Sequence, residues 1–246
     1  MGLFFKLGQY YLLMAKVFSK PEKKMLFFKQ TIKEIEKIGL NSISIVLIIS
    51  VFIGGVITLQ MAYNIENPLF PSYTISLSTR DTILLEFSST IIALILAGKV
   101  GSSISSEIGT MRITEQIDAL EIMGVNSASF LILPKITAAV IFNPFLTLLS
   151  MIVGIFGGWA VGVAAGVTTS ASYIMGLQYA FIPYYITYAL IKTAVFAFII
   201  TSISAYCGYY AEGSSLEVGK SSTKGVVYSS VCILMFNLIL TKLLLS

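Results

Sequence analysis

Charge and histidine are what this sequence has least of. Its 246 residues include no histidine, and only 11% are Asp, Glu, Lys or Arg. Soluble domains carry about 25% charged residues, so a chain this poor in charge has too little polar surface to cover itself in water. Without imidazole, histidine-based acid–base catalysis and most metal sites are excluded. Cysteine is nearly absent as well. Cys207 and Cys232 lie at or inside hydrophobic segments with no ligand-like spacing, and they read as packing residues. No cofactor is expected. The net charge of +4 is segregated along the chain. Its only basic cluster flanks the first hydrophobic span, which favours phospholipid headgroups over nucleic acid as the partner.

What the chain does have is apolar sequence, 56% of residues, with a mean hydropathy of +0.88. It arrives in blocks long enough to cross a bilayer, which takes roughly 20 residues per helix. The expected fold is all-α, a polytopic membrane protein of about five spans: residues 40–62, 82–98, 131–166, 183–206 and 225–245. The third block is interrupted at Asn143-Pro144 and, at 1.5 Å per residue, is roughly 50 Å long, so a tilted, kinked helix with a protruding end is expected. Residues 1–39 form a separate interfacial region ahead of a membrane domain at 40–246. Within it, residues 1–20 mix Leu3, Phe4, Phe5, Tyr10 and Tyr11 with Lys6, Lys16 and Lys20 and stop at Pro21. Residues 22–38 place five lysines around Leu26, Phe27, Phe28, Ile32 and Ile35. Both stretches read as amphipathic helices lying in the interface, and no small-residue cleavage site marks a signal peptide.

Loop lysines and arginines set the orientation. Thirteen of them fall before the first span, between 99 and 135, and between 208 and 224. Only Arg80 and Lys242 fall on the other side. The N-terminus is therefore expected in the cytoplasm and the C-terminus outside.

Four features invite a functional reading. Gly154, Gly158, Gly162 and Gly166 recur every four residues, a stripe that lets another backbone approach, either within the chain or from another subunit. Glu86 and Lys192 are ionisable residues inside spans, where each costs on the order of 2.5–3.5 kcal/mol and needs a partner or a wet cavity. Counting 1.5 Å per residue from the outer ends of their spans puts Glu86 roughly 7 Å and Lys192 roughly 13 Å deep, so the two are expected to meet. They form either a structural ion pair or the polar lining of a substrate cavity. The polar interlude at 97–126 carries Met111, Ile113, Ile117, Leu120 and Met123 on one side of a helix, and Arg112, Glu115, Asp118 and Glu121 on the other. Such a helix can be a plain interfacial loop or a dock for a cytoplasmic partner. Finally, Gly213 to Ser221 resembles a phosphate-binding loop but has five residues between its glycines where the motif needs four, and no strand precedes it. The chain is not expected to bind ATP.

The interlude resembles the signature of the MlaE (YrbE-type) permease family. It offers Ala97-Gly98-Lys99-Val100-Gly101-Ser102, then Glu107-Ile108-Gly109-Thr110-Met111-Arg112-Ile113-Thr114-Glu115-Gln116-Ile117, then Glu121-Ile122-Met123. Gly54, Gly157-Gly158, Leu190-Ile191-Lys192 with Val195-Phe196-Ala197, and Gly208-Tyr209 extend the resemblance, in order, over nearly the whole chain from about residue 20. It implies the permease subunit of an ABC-type transporter that moves phospholipids, or sterols in some relatives, between the bacterial inner membrane and the envelope. Two copies of the permease would pair, a dimer of cytoplasmic ATPases would bind below, and MCE-domain proteins in the periplasm would sit above. It also implies that the helix at about 105–124, with Glu107, Arg112, Glu115, Asp118 and Glu121, is the coupling helix pressed on the ATPase, and that Glu86 and Lys192 line the lipid cavity. The sequence departs from the family where Leu85-Glu86-Phe87-Ser88-Ser89 stands for the usual Arg-Glu-Leu-Gly-Pro, and where Asn237 replaces an acidic residue. Two other classes remain: an intramembrane hydrolase reduced to a Ser-Lys arrangement at Lys192, and an ion-coupled secondary transporter using Glu86 and Lys192, which predicts internal repeats that five spans do not readily supply.

Overall fold

The computed structural model describes residues 3–19, 24–65 and 70–245, so Lys20, Pro21 and Lys23 lie outside the described residues. Among the described residues there are eight helices and no strand: α1 (Leu3–Val17), α2 (Lys24–Asn64), α3 (Tyr73–Ile113), α4 (Gln116–Ile122), α5 (Ser127–Ala164), α6 (Ser170–Gln178), α7 (Tyr184–Tyr209) and α8 (Ser215–Leu245). Five of them, α2, α3, α5, α7 and α8, are long and apolar enough to cross a membrane. The chain is a multi-pass, all-helical membrane protein.

The helices outrun the expected spans. The basic stretch at 22–38 is not a separate surface helix. It continues into the first span as α2, through a widened turn at Ile35–Leu40 whose hydrogen bonds skip one extra residue. Helix α3 begins at Tyr73 and reaches Ile113, absorbing Arg80 (counted above among the loop charges) and Asp81, and it widens twice, at Ile83–Ile91 and Ala97–Gly101. No break occurs at Asn143-Pro144, where α5 runs unbroken for 38 residues. A proline removes one backbone donor, a loss that packed surroundings can absorb within a membrane protein. The single amphipathic helix expected at about 105–124 is in fact two. Helix α3 ends at Ile113, Glu115 takes a left-handed conformation (φ 59°), and α4 begins at Gln116.

Contacts divide the chain into two compact units. One comprises residues 1–41, 93–143 and 194–246; the other comprises 42–92 and 144–193. In the first, α1 buries Leu13, Met14 and Val17 while Phe4, Tyr11 and Phe18 stay exposed. Tyr10 donates to Ser202 Oγ (2.9 Å), and Tyr206 donates to Gln9 Oε1 (3.0 Å). An exposed apolar stripe beside a seated one suits a helix half-sunk in the lipid surface.

The second unit is built on close backbone approach. A Cβ at Gly54 of α2 would overlap the Gly154 carbonyl of α5, and one at Gly157 would run into the Val51 backbone. Gly158 faces Thr58 Oγ1 and the Tyr173 hydroxyl, and Gly162 faces Thr58 and Thr168. Gly158 and Gly162 of the stripe therefore pack within the chain, and the tightest backbone approaches between α2 and α5 are made beside it, at Gly54 and Gly157. Gly166 is not part of it. Helix α5 ends at Ala164, Gly166 turns at φ 71°, and no atom lies within 4 Å of where its Cβ would be. Its N–H donates to Val163 O (3.0 Å) while that of Val167 donates to Gly162 O (3.1 Å), the Schellman arrangement that closes a helix on a glycine. Between the same two helices, Ser50 Oγ donates to Ser150 Oγ (2.8 Å), which in turn donates to Ser88 Oγ of α3 (3.4 Å).

These approaches make a prediction. Gly54→Ala forces α2 from α5 and should cost about 1–3 kcal/mol or more, as overpacking does. Gly219→Ala, with open space around its Cβ position, should be neutral or stabilise the helix by about 0.5–1 kcal/mol. Thermal unfolding in detergent, monitored by loss of monodisperse protein, separates the two.

Candidate functional site

An ammonium group deep in a membrane helix must place three protons without water. Lys192, one turn after Tyr188 on α7, is fully buried and does so inside its own unit. Its Nζ lies 3.0 Å from Glu86 Oε1 and donates to Tyr188 Oη at 2.9 Å and to the Leu85 carbonyl at 3.2 Å. The Tyr188 ring also stands under the cation, 4.7 Å from its centroid. Leu85 and Glu86 belong to the widened segment Ile83–Ile91, where the carbonyls are shifted off the regular helical ladder. Glu86 Oε2 accepts from Thr90 Oγ1 at 3.0 Å. The depth comparison expected the pair to meet, and it does.

The two partners are unequal. No part of the Lys192 side chain is accessible, whereas 40% of the Glu86 side chain is. Removing one member of a buried ion pair typically costs about 3–5 kcal/mol because the survivor is stranded. An ion pair kept purely for packing gains nothing from an open carboxylate; one that meets a polar ligand does. The described donor contacts of Lys192 go to a carboxylate, a carbonyl and a phenol.

The acidic and basic residues assigned to the coupling helix are mostly engaged within the first unit. Glu107 lies in α3, and its Oε2 accepts from Lys37 Nζ (2.7 Å) and Lys135 Nζ (2.9 Å). Lys135, almost fully buried, also binds Glu34 Oε1 at 2.6 Å, so α2, α3 and α5 share one ionic knot. Arg112 reaches across the α3–α4 break to Asp118 Oδ1 at 2.6 Å. Glu121 Oε1 accepts from Ser127 Oγ and Tyr209 Oη, each at 2.9 Å. These hydrogen bonds, Ser127's foremost, hold the Glu121 carboxyl below its ordinary value. Glu115 stands exposed at the break. At the C-terminal end of α4 two large apolar side chains face outward: Ile117 is buried, but Ile122 is 87% exposed and Met123, just past the helix, 67%.

Two buried cations escaped the sequence argument. Lys135 was counted as a loop charge, although a lone lysine within an apolar run is the same signal that marks Lys192. Arg80, 3% exposed, was placed in a loop; it instead closes the C-terminal end of α6, donating to the carbonyls of Gly176, Leu177 and Tyr179 and pairing with Asp81 at 2.8 Å.

The family described as Permease MlaE matches residues 31–243. A probable ABC transporter permease protein of Rickettsia bellii is 36% identical over 223 residues, 89% of this chain and 84% of the relative. Its counterpart in Rickettsia prowazekii is 35% identical over 90% of this chain and 85% of its own length. The intermembrane phospholipid transport system permease protein MlaE of Haemophilus influenzae is 31% identical over 95% of this chain and 89% of its own. The matched segment takes in all five spans, the Glu86–Lys192 pair and the α3–α4 break, and on that extent of similarity the chain belongs to the MlaE permease family.

Proposed function

We propose that this chain is the membrane-spanning subunit of an ABC-type transporter that moves phospholipid, or a closely related lipid, between the inner membrane and the cell envelope. It works as a pair of identical copies in the inner membrane, with the N-terminus in the cytoplasm and the C-terminus in the periplasm. A dimer of cytoplasmic ATPases supplies the energy, and an MCE-domain protein on the periplasmic side exchanges the lipid. The chain itself carries out no covalent chemistry. The observation that carries this proposal is the half-open Glu86 carboxylate, held at membrane depth by a fully buried Lys192. Exposed charge at that depth is costly unless it meets polar matter, and a lipid headgroup is the polar matter a membrane supplies. The name of the Haemophilus relative supports phospholipid as the substrate.

The ATPase engages the α3–α4 junction in this proposal. Because Glu107, Arg112, Asp118 and Glu121 are tied up internally, Ile122 and Met123 provide the grip, and the ionic contacts make the junction stiff enough to pass on a push. Closure of the ATPase dimer moves the junction and, through α3, the widened segment bearing Glu86. The coupling needs only contacts that differ between two states of the permease.

Three outcomes are expected. Glu86→Gln or Lys192→Met alone should lower the yield of folded protein, by stranding one charge. The double substitution should restore yield yet leave ATP-driven lipid transfer in reconstituted vesicles strongly reduced; transfer at the wild-type rate would make the pair merely structural. Ile122→Glu with Met123→Glu should abolish co-purification of the ATPase while leaving thermal stability unchanged, since exposed substitutions usually shift stability within about ±0.5 kcal/mol. The third outcome concerns acid. A carboxyl held below its ordinary value of about 4.3 contributes stability above that pH and loses the contribution as pH falls through its lowered value. Glu121→Gln should therefore be less stable than wild type at neutral pH and lose less on acidification, measured by unfolding in detergent from neutral pH down to about 2, below the ordinary carboxyl value.

A further inference from the structure

The unit formed by residues 42–92 and 144–193 contains a second feature, distinct from the ion pair. A cavity of about 310 Å³ is walled by Leu84 of α3, by Leu148, Met151 and Ile155 of α5, and by Phe181 and Ile186. Its volume lies at the low end of the roughly 300–1,000 Å³ typical of ligand pockets. Its described lining includes neither Lys192 nor Glu86, nor Tyr188 or Thr90 beside them.

The chemistry of the walls restricts the occupant. Among the described residues lining the cavity Arg80 is the one that is charged, and its guanidinium is already committed: to Asp81 at 2.8 Å, to the Leu177 and Tyr179 carbonyls at 2.8 Å each and to the Gly176 carbonyl at 3.3 Å. Its face lies against the Phe181 ring, 5.7 Å from the centroid. An anion would have to compete with those acceptors, while an apolar ligand asks nothing of them. The rim includes Ile152, which is largely exposed, and three of the contributing helices are membrane-spanning, so the cavity opens toward hydrocarbon. Exposed Tyr179 and Tyr184 bracket the segment that supplies Phe181. Such amphipathic rings gather at headgroup level, which puts the cavity within reach of the first carbons of a lipid tail.

We propose that this cavity seats one acyl chain of a resident bilayer phospholipid, with its headgroup at the level of Tyr179 and Tyr184. The tail supplies the packing contacts that the wall side chains would forfeit around a void. The assignment concerns a lipid that stays, and it stands whether or not Glu86 and Lys192 handle a lipid that moves.

The test uses the full chain in phosphatidylcholine vesicles containing a small share of phosphatidylcholine with a photoactivatable diazirine in its acyl chain. After irradiation, labelled peptides are mapped by mass spectrometry. Labelling at 148–155 and 181–186 is expected to exceed, severalfold, labelling at Leu238 and Leu243, exposed residues of α8 that report ordinary lipid contact. Filling the cavity with Ile186→Trp, or from a different helix with Leu148→Trp, should cut cavity labelling severalfold and leave α8 labelling unchanged, and the latter also certifies that each variant has folded. Equal labelling at the cavity and on α8, or cavity labelling indifferent to both filling variants, would overturn the proposal.

Discussion

A polar group inside hydrocarbon must find its partners within the protein, and the structure turns on how that demand is met at Lys192. Its ammonium uses a carboxylate on α3, a phenol one turn back on α7 and a backbone carbonyl released by a widened turn. Those contacts fix the register of α3 against α7, because a slip of one residue would strand a charge at a cost the remaining packing could not offset. The widened turn is thus part of the binding of the lysine rather than a flaw in the helix. Arg80 and Lys135 meet the same demand differently. Arg80 finds helix-end carbonyls, and Lys135 finds two carboxylates. All three cations are nearly or fully buried, and the carboxylate facing Lys192 is the most exposed of their partners, at 40% against 32% for Glu107 and 28% for Asp81.

Helix pairing in lipid cannot draw on the hydrophobic effect, so contact area and short approach have to supply it. Glycines at 54 and 157 bring α2 and α5 into backbone contact, and the serine hydroxyls at 50, 88 and 150 lie along the same seam. Small side chains and hydroxyls act together here: the glycines bring the backbones close, and closeness puts the hydroxyls within hydrogen-bonding range.

Much of this was legible in the sequence, for physical reasons. Five apolar runs stand out because bilayer thickness sets a minimum length. Glu86 and Lys192 stand out because charge is rare in such runs, and a rise of 1.5 Å per residue is enough to compare their depths. Helix ends were far less legible. Lysine-rich sequence at 24–38 is as compatible with helix as the apolar sequence after it, so nothing marked a junction, and α2 has none. Asn143-Pro144 carried a break signal that the surrounding helix overrode. The converse held at Glu115, where a left-handed residue splits the interlude without the glycine that normally announces one. A strict four-residue spacing put Gly166 on a helix that had already ended. Lys135 and Arg80 were overlooked because they sit near span ends, where a charge is ordinarily solvated.

The ionic knot in the first unit bears on how the protein is made. Glu34 and Lys135 are 101 residues apart, on the second and fifth helices to leave the ribosome. While α3 is being threaded into the bilayer, the counter-charge for Glu34 has not been synthesised. The carboxylate must wait in water or among headgroups until α5 emerges. The early part of the protein therefore stays unfinished until α5 emerges, and a nascent chain stopped before residue 135 lacks the one lysine that ties Glu34 to Glu107.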